Sequence, residues 1–205
     1  MVNWSLDALD LLNPFAHPGM RLLDLGCGQG DLALELARRG LAVTGFDISP
    51  AAVQVATKRA EQSGIPAVFL VADIAEPLPF EDASFEVVSA VLSLHYFRRA
   101  TTARIVRETA RVLTRGGLLC LYVNTLSEGQ GRAERGRVSA VVEPGVVFER
   151  DGVTRRYFGE DDLRELLGSW SIELLEPTTI ESLQGRGKSC WRVLARRSAA
   201  PAHTF

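Results

Sequence analysis

The chain is 205 residues long, 46% hydrophobic and 23% charged, with a formal net charge of −2 at pH 7. That length fits one domain, and that composition fits an ordinary globular core rather than intrinsic disorder. The slightly acidic balance argues against nucleic acid as the main partner, and no apolar run approaches the roughly 20 residues needed to cross a bilayer.

The first residues, "MVNWSLDALDLLNPFAHP", have no Lys or Arg ahead of an apolar run and do not read as a signal peptide. Residues 1–20 are expected to be a helical segment or lid in which Trp4 and Phe15 either close over a site or pack outside the sheet. His17 has the same two readings, part of a lid or a surface turn. Short apolar runs then alternate with helical patterns, which predicts a parallel sheet covered by helices. "RLLDL" (21–25) is a buried strand. Residues 31–39 place Leu32, Ala33, Leu36 and Ala37 on one helix face, with Gly40 as the stop. "AVTGFD" (42–47) is a second strand and 49–64 a second helix, with Ser49 as N-cap, Pro50 as first residue and Gly64 as stop. "AVFLVAD" (67–73) and "FEVVSAVL" (85–92) are strands three and four. A helix through Ala103, Val106 and Leu113 leads to Arg115-Gly116-Gly117 and strand five, "LLCLYV" (118–123).

After Asn124 the rhythm changes. "SEGQGRAERGR" (127–137) is polar and Gly-rich and reads as a mobile loop. Residues 140–158 suggest a β-excursion turning at Pro144-Gly145 and Asp151-Gly152, and 159–168 a short helix with acids in its first turn. "SIELLEP" (171–177) and "SCWRVLARR" (189–197) are expected to pair antiparallel. The expected division is a cofactor-binding core at 21–124, a variable substrate-side insertion at 125–158, and a last helix and two strands at 159–197. Cys27, Cys120 and Cys190 are odd in number, far apart and without metal-ligand spacing, so no metal is expected, and a cytoplasmic location is.

The chemistry sits in "RLLDLGCGQGDLALELARRG" (21–40). A glycine loop between strand one and helix one lies at the carboxyl end of a parallel sheet, where ligands bind. A P-loop would need Lys at the helix start, where Asp31 stands. A dinucleotide fold would need G-x-G-x-x-G, but Gly26, Gly28 and Gly30 form G-x-G-x-G, and Asp24 and Asp31 flank a loop that would face a pyrophosphate. Asp47, ending strand two, suits ribose hydroxyls. Asp73, ending strand three, suits the exocyclic amine of an adenine held between Ile48 and Ile74. A ribose, an adenine, no phosphate and a cation together describe S-adenosylmethionine.

"LLDLGCGQG", "VTGFDIS", "VADIAEPLPFEDASFEVVSAVLSLHYF" and "ARVLTRGGLLCLYV" resemble motifs I to III of the class I S-adenosylmethionine-dependent methyltransferases, over residues 21 to about 124. The "LPFEDASFEVV" block is similar to the small-molecule "type 11" group, and the tail resembles the tellurite-resistance-type methyltransferases. That group's His-Arg pair before the last strand is replaced here by "LQGRGKSC", so its role does not transfer. The resemblance implies an α/β, Rossmann-like, doubly wound, mostly parallel seven-stranded sheet with an antiparallel final strand and helices on both faces. It implies methyl transfer to a small-molecule acceptor by in-line displacement, in a monomer or homodimer with no nucleic-acid or membrane partner. The alternative is a non-catalytic S-adenosylmethionine-binding regulator or scaffold.

Cofactor contacts are therefore expected at Asp24, Gly26, Cys27, Gly28, Gly30, Asp47, Ile48, Asp73, Ile74, Val91 and Ser93. Asp24 is read as bonding loop amides or holding the methionine amine. Cys27 is read as packing or backbone contact. Asp47 and Asp73 have bland readings as a helix cap and a turn cap. "SLHYF" (93–97) follows strand four, where the family places the acceptor, so His95 and Tyr96 are the catalytic candidates. His95 is either a general base or a packing histidine. Arginines 132–137, Arg155, Arg156, Arg186 and Lys188 are either a positive patch over the substrate or a solvated charged face. His203 carries no role, and the N-P-P-[YF] motif of amino methyltransferases acting on nucleic-acid bases is absent.

Overall fold

The computed structural model describes residues 3–181 and 187–198. Five segments form parallel strands: β1 (Arg21–Leu25), β2 (Ala42–Asp47), β3 (Ala67–Val71), β4 (Phe85–Val91) and β5 (Leu113–Asn124). With β9 (Trp170–Glu181) and β10 (Gly187–Arg197) they make one seven-stranded sheet ordered β3-β2-β1-β4-β5-β10-β9. β10, the last strand of the chain, runs antiparallel to both neighbours. The strand order reverses between β1 and β4, so a crevice opens beyond their carboxyl ends.

Period-two alternation sends the strands into two cores. Leu118, Cys120 and Tyr122 of β5 enter one, and Leu119, Leu121 and Val123 the other. The helices α1 (Asn3–Leu12), α2 (Asp31–Arg38) and α3 (Pro50–Ser63) cover the first face through Leu9, Leu36 and Val53. α4 (Arg99–Val112) and α6 (Glu160–Leu166) cover the second through Ile105 and Leu163. Capping explains the ends of α3: the Ser49 hydroxyl accepts from the Ala52 amide at 3.2 Å, and Gly64 closes it in the left-handed conformation.

The first segment is a sheet-covering helix, not a lid. Ala8, Leu9 and Leu12 are buried in the first core, and the Tyr122 hydroxyl donates to Asp7 at 2.5 Å. Phe15 lies under the Arg196 guanidinium, 5.7 Å from it, and lines a surface cavity with exposed His17 at the amino ends of β4 and β5, opposite the glycine loop. The side chain of Trp4, Arg186 and His203 lie outside the described residues.

Residues 127–137 depart from the expected loop. They are mostly a helix, α5 (Leu126–Glu134), capped by Thr125, whose hydroxyl accepts from the Glu128 amide at 3.1 Å. The glycines that read as flexibility are packing positions: a Cβ on Gly129 would lie 2.7 Å from Cγ of the Tyr157 ring. β6 (Val138–Glu143), β7 (Val146–Glu149) and β8 (Thr154–Arg156) form the expected antiparallel excursion, with Gly145 and Gly152 at positive φ in its turns. β5 also begins five residues earlier than expected, bulging through Gly116-Gly117 between its pairings with Phe85 and Val87.

Candidate functional site

Beyond the carboxyl ends of β1, β2 and β4 lies a cavity of about 620 Å³, within the usual size range of small-molecule sites. The loop after β1 forms its floor. The amides of Gly26 and Cys27 both donate to the Phe46 carbonyl, at 2.8 and 2.7 Å, which ties the loop to β2. Gly26 has φ +81°, and a Cβ there would fall 2.5 Å from the Ser93 Cβ, so only glycine lets the loop touch the segment after β4. Gly28, at φ +53°, has open space where its Cβ would stand and faces the cavity.

Asp47 fastens this loop to the next helix. Its Oδ2 accepts from the Gly28 amide and its Oδ1 from the Ser49 amide, both at 2.9 Å. The bland capping role is thus real, and the carboxylate still lines the cavity with lone pairs to spare. Asp73 behaves alike: Oδ1 accepts from the Ala75 amide at 2.8 Å while the side chain borders the cavity. Ile48 and Ile74 flank these acids, Ile48 being 68% exposed. Val91 and Ser93 complete the side nearest β4.

Three expected contacts lie elsewhere. Gly30 does not line the cavity; it starts α2 at φ +79°, and a Cβ would strike Phe69 and Ala56 at 3.0 and 3.1 Å, so its job is helix-to-sheet packing. Asp24 is buried beneath the floor. It bonds no loop amide, since those of Gly26 and Cys27 go to the Phe46 carbonyl and that of Gly28 to Asp47, and it accepts instead from the Ser89 hydroxyl at 2.7 Å. Burial, partly countered by that bond, pushes its pKa up to about 6. His95 is buried at 1% exposure, and neither ring nitrogen has a partner. Burial, then the positive charges of Lys188, Arg155 and Arg132, hold it well below the usual histidine range. Of the two expected catalytic candidates, Tyr96 is the one that reaches the cavity: it is 47% exposed, with its ring 4.3 Å from the His95 ring.

Cys27 borders the cavity with its thiol turned to the Gly28 carbonyl, 3.7 Å away, and burial raises its pKa so that it stays protonated. That fits the packing role expected of it. Asp31 lines the cavity too, but its charge is shared with Arg59 at 2.8 Å, so it opposes an anion less than its position in the sequence suggests. Gln29, Ala72, Leu92 and Phe97 also line the cavity and were not singled out by sequence. Leu92 carries φ +57°, a strained conformation for a leucine immediately after β4, and nothing in its local sequence announces it. Among the described lining residues there are three carboxylates and no lysine or arginine.

Residues 22–117 match a family model described as "Methyltransferase domain". The chain is 43% identical over 106 residues to 27-O-demethylrifamycin SV methyltransferase of Amycolatopsis mediterranei, a stretch covering 50% of this chain and 38% of that protein. It is 38% identical over 120 residues to demethylmenaquinone methyltransferase of Thermus thermophilus, covering 58% of this chain and 52% of that one. The chain therefore spans about half or less of the length of these curated relatives. A solved SAM-dependent methyltransferase of Methanosarcina mazei superposes with TM-score 0.81 at 26% identity, over 92% of this chain and 97% of that one. Residues 22–117 thus match the methyltransferase domain, and the fold is similar to that of the class I S-adenosylmethionine-dependent methyltransferases. The cavity beyond β1 and β4, where the strand order reverses, is the place to test for the cofactor.

Proposed function

We propose that the protein transfers a methyl group from S-adenosylmethionine to a small-molecule acceptor. The observation that carries this is the cavity's charge: a described lining with three carboxylates, of which Asp31 is paired with Arg59, and with no lysine or arginine suits a ligand with an ammonium and a sulfonium, and disfavours a pyrophosphate. When bound, the cofactor supplies an electrophilic methyl carbon. Asp47 would accept from the ribose hydroxyls, Asp73 from the adenine amine, and Ile48 and Ile74 would take the two faces of the base. Gly26 and Gly28 would let the backbone approach the amino-acid moiety, with Val91 and Ser93 bordering the sulfur. Buried Asp24 would act from below as a negative charge toward the ammonium. Ser93 and Tyr96 would align the acceptor, and good alignment alone is worth on the order of 7–11 kcal/mol. Residues 125–158 would form the acceptor side. The named relatives' acceptors, 27-O-demethylrifamycin SV and demethylmenaquinone, favour a small molecule. Three buried, free cysteines agree with a cytoplasmic location.

Calorimetric titration with S-adenosylmethionine, S-adenosylhomocysteine and NAD tests the reading. Binding of the first two and not the third is expected. Failure of both adenosyl ligands to bind overturns it.

A further inference from the structure

We propose that the acceptor enters as an oxyanion, a carboxylate or phenolate, and that Lys188 is the residue that selects it. This rests on the methyltransferase reading above.

The segment after β4 offers no competent base. His95 is sealed from solvent and resists protonation, while Ser93 and Tyr96 offer only hydroxyls. A neutral acid would leave its proton with no taker in this segment, whereas an acceptor that arrives ionised has none to shed.

Charges of both signs lie around the segment after β4. The donor cavity is lined by Asp31, Asp47 and Asp73. Outside that lining, three cations from three different elements bear on His95, the neighbour of Tyr96: Lys188 from β10, Arg155 from β8 and Arg132 from α5. Register explains the convergence. Val91 pairs with Tyr122 and Cys190 with Asn124, so Lys188 comes to the same edge of the sheet as the segment after β4.

The arginines are already engaged. Glu149, buried at 1% exposure, accepts from Arg132, from Arg155 at 2.9 Å and from the Tyr157 hydroxyl, and Arg155 also meets Asp151 at 2.8 Å. Arg155 remains near the acceptor side, its guanidinium 5.8 Å from the centre of the Tyr96 ring. Lys188 differs. It is half-buried, and among the described residues it makes no ion pair. Glu128, the carboxylate that bears on it, is taken by the Ser189 amide at 3.2 Å and by Arg135 at 3.6 Å. A partly desolvated ammonium with no counter-ion among the described residues, at the edge of the sheet that carries the segment after β4, would be satisfied by an anion.

The step balances. The acceptor's oxygen lone pair forms the new O–CH3 bond, the S–CH3 bond breaks, and its electron pair stays on sulfur as the thioether. One positive and one negative charge are consumed, two neutral centres result, and no proton moves.

The test saturates the protein with S-adenosylhomocysteine and titrates benzoate and 4-nitrophenolate, with benzamide and 4-nitrobenzyl alcohol as neutral partners, following the NMR signals of the His95 ring. The anions should shift those signals and the neutral partners should not. Lys188→Gln should weaken the response about ten- to a hundredfold, with S-adenosylhomocysteine affinity unchanged, and Lys188→Arg should restore it. A response to benzoate alone or 4-nitrophenolate alone assigns the class. If S-adenosylhomocysteine binds and neither anion is felt, or Lys188→Gln responds like the wild type, the proposal is wrong. If S-adenosylhomocysteine does not bind, it is the methyltransferase reading that fails.

Discussion

One carboxylate, Asp47, holds the amides of Gly28 and Ser49 and faces the cavity at once. Asp47→Ala should therefore cost about 1–3 kcal/mol of S-adenosylmethionine binding, read by calorimetry, and unchanged affinity would move the ribose elsewhere. Asp24 behaves differently because it is buried with one hydroxyl partner. Its folded pKa of about 6 lies above its unfolded value, so the folded state binds the proton more tightly. The cofactor-free protein should thus be steadier at low pH and lose that margin as pH rises from about 4 to about 6. Asp24→Asn should flatten this dependence in thermal melts, raise the melting temperature at pH 7, and weaken cofactor binding. A mutant that kept the full pH dependence would assign it to another group. The place of Gly26, Gly28, Asp47 and Asp73 around one cavity was legible because their spacing after strands has few physical meanings. The burial of His95 and the strain at Leu92 were not, since both are set by which strands lie beside β4.

α5 shows propensity and packing in conflict. Gly129 lowers intrinsic helicity by about 1 kcal/mol against alanine, yet its bare Cα is where Tyr157 rests. Gly129→Ala should improve the helix and overfill the contact, and overfilling costs about 1–3 kcal/mol. A net fall in the urea midpoint is expected; a rise would show that the Tyr157 ring yields without penalty. The helix had one local signal, Thr125 followed three residues later by Glu128, a capping pattern ahead of Gly-rich sequence. Its composition pointed the other way, because a glycine chosen for close approach looks the same in sequence as one chosen for freedom. The strands and helices of 21–124 carried no such conflict: periodicity, caps and turns agreed there.

Across the molecule, the three-stranded sheet and α5 are joined through the buried Glu149, which takes two arginines and a tyrosine hydroxyl. Its carboxyl is held below the usual range by those partners against the pull of burial. Glu149→Gln leaves Arg132 and Arg155 without that charge and should cost about 3–5 kcal/mol locally. Hydrogen exchange should then quicken in α5 and β6–β8 while β1, β4 and β5 keep their protection. Equal loss everywhere would show that this cap and the main sheet unfold as one unit. The sequence alone determined the parallel sheet, the glycine loop and the acids at strand ends, because each follows from a local period or a conformation few residues can adopt, while the reversed last strand came from the family resemblance. Only the tertiary structure decided that α1 covers the sheet, that Gly30 serves packing, that Arg59 shares the charge of Asp31, and that His95 is enclosed among cations. Those outcomes depend on side chains brought together from distant parts of the chain, and no local pattern encodes which partner arrives.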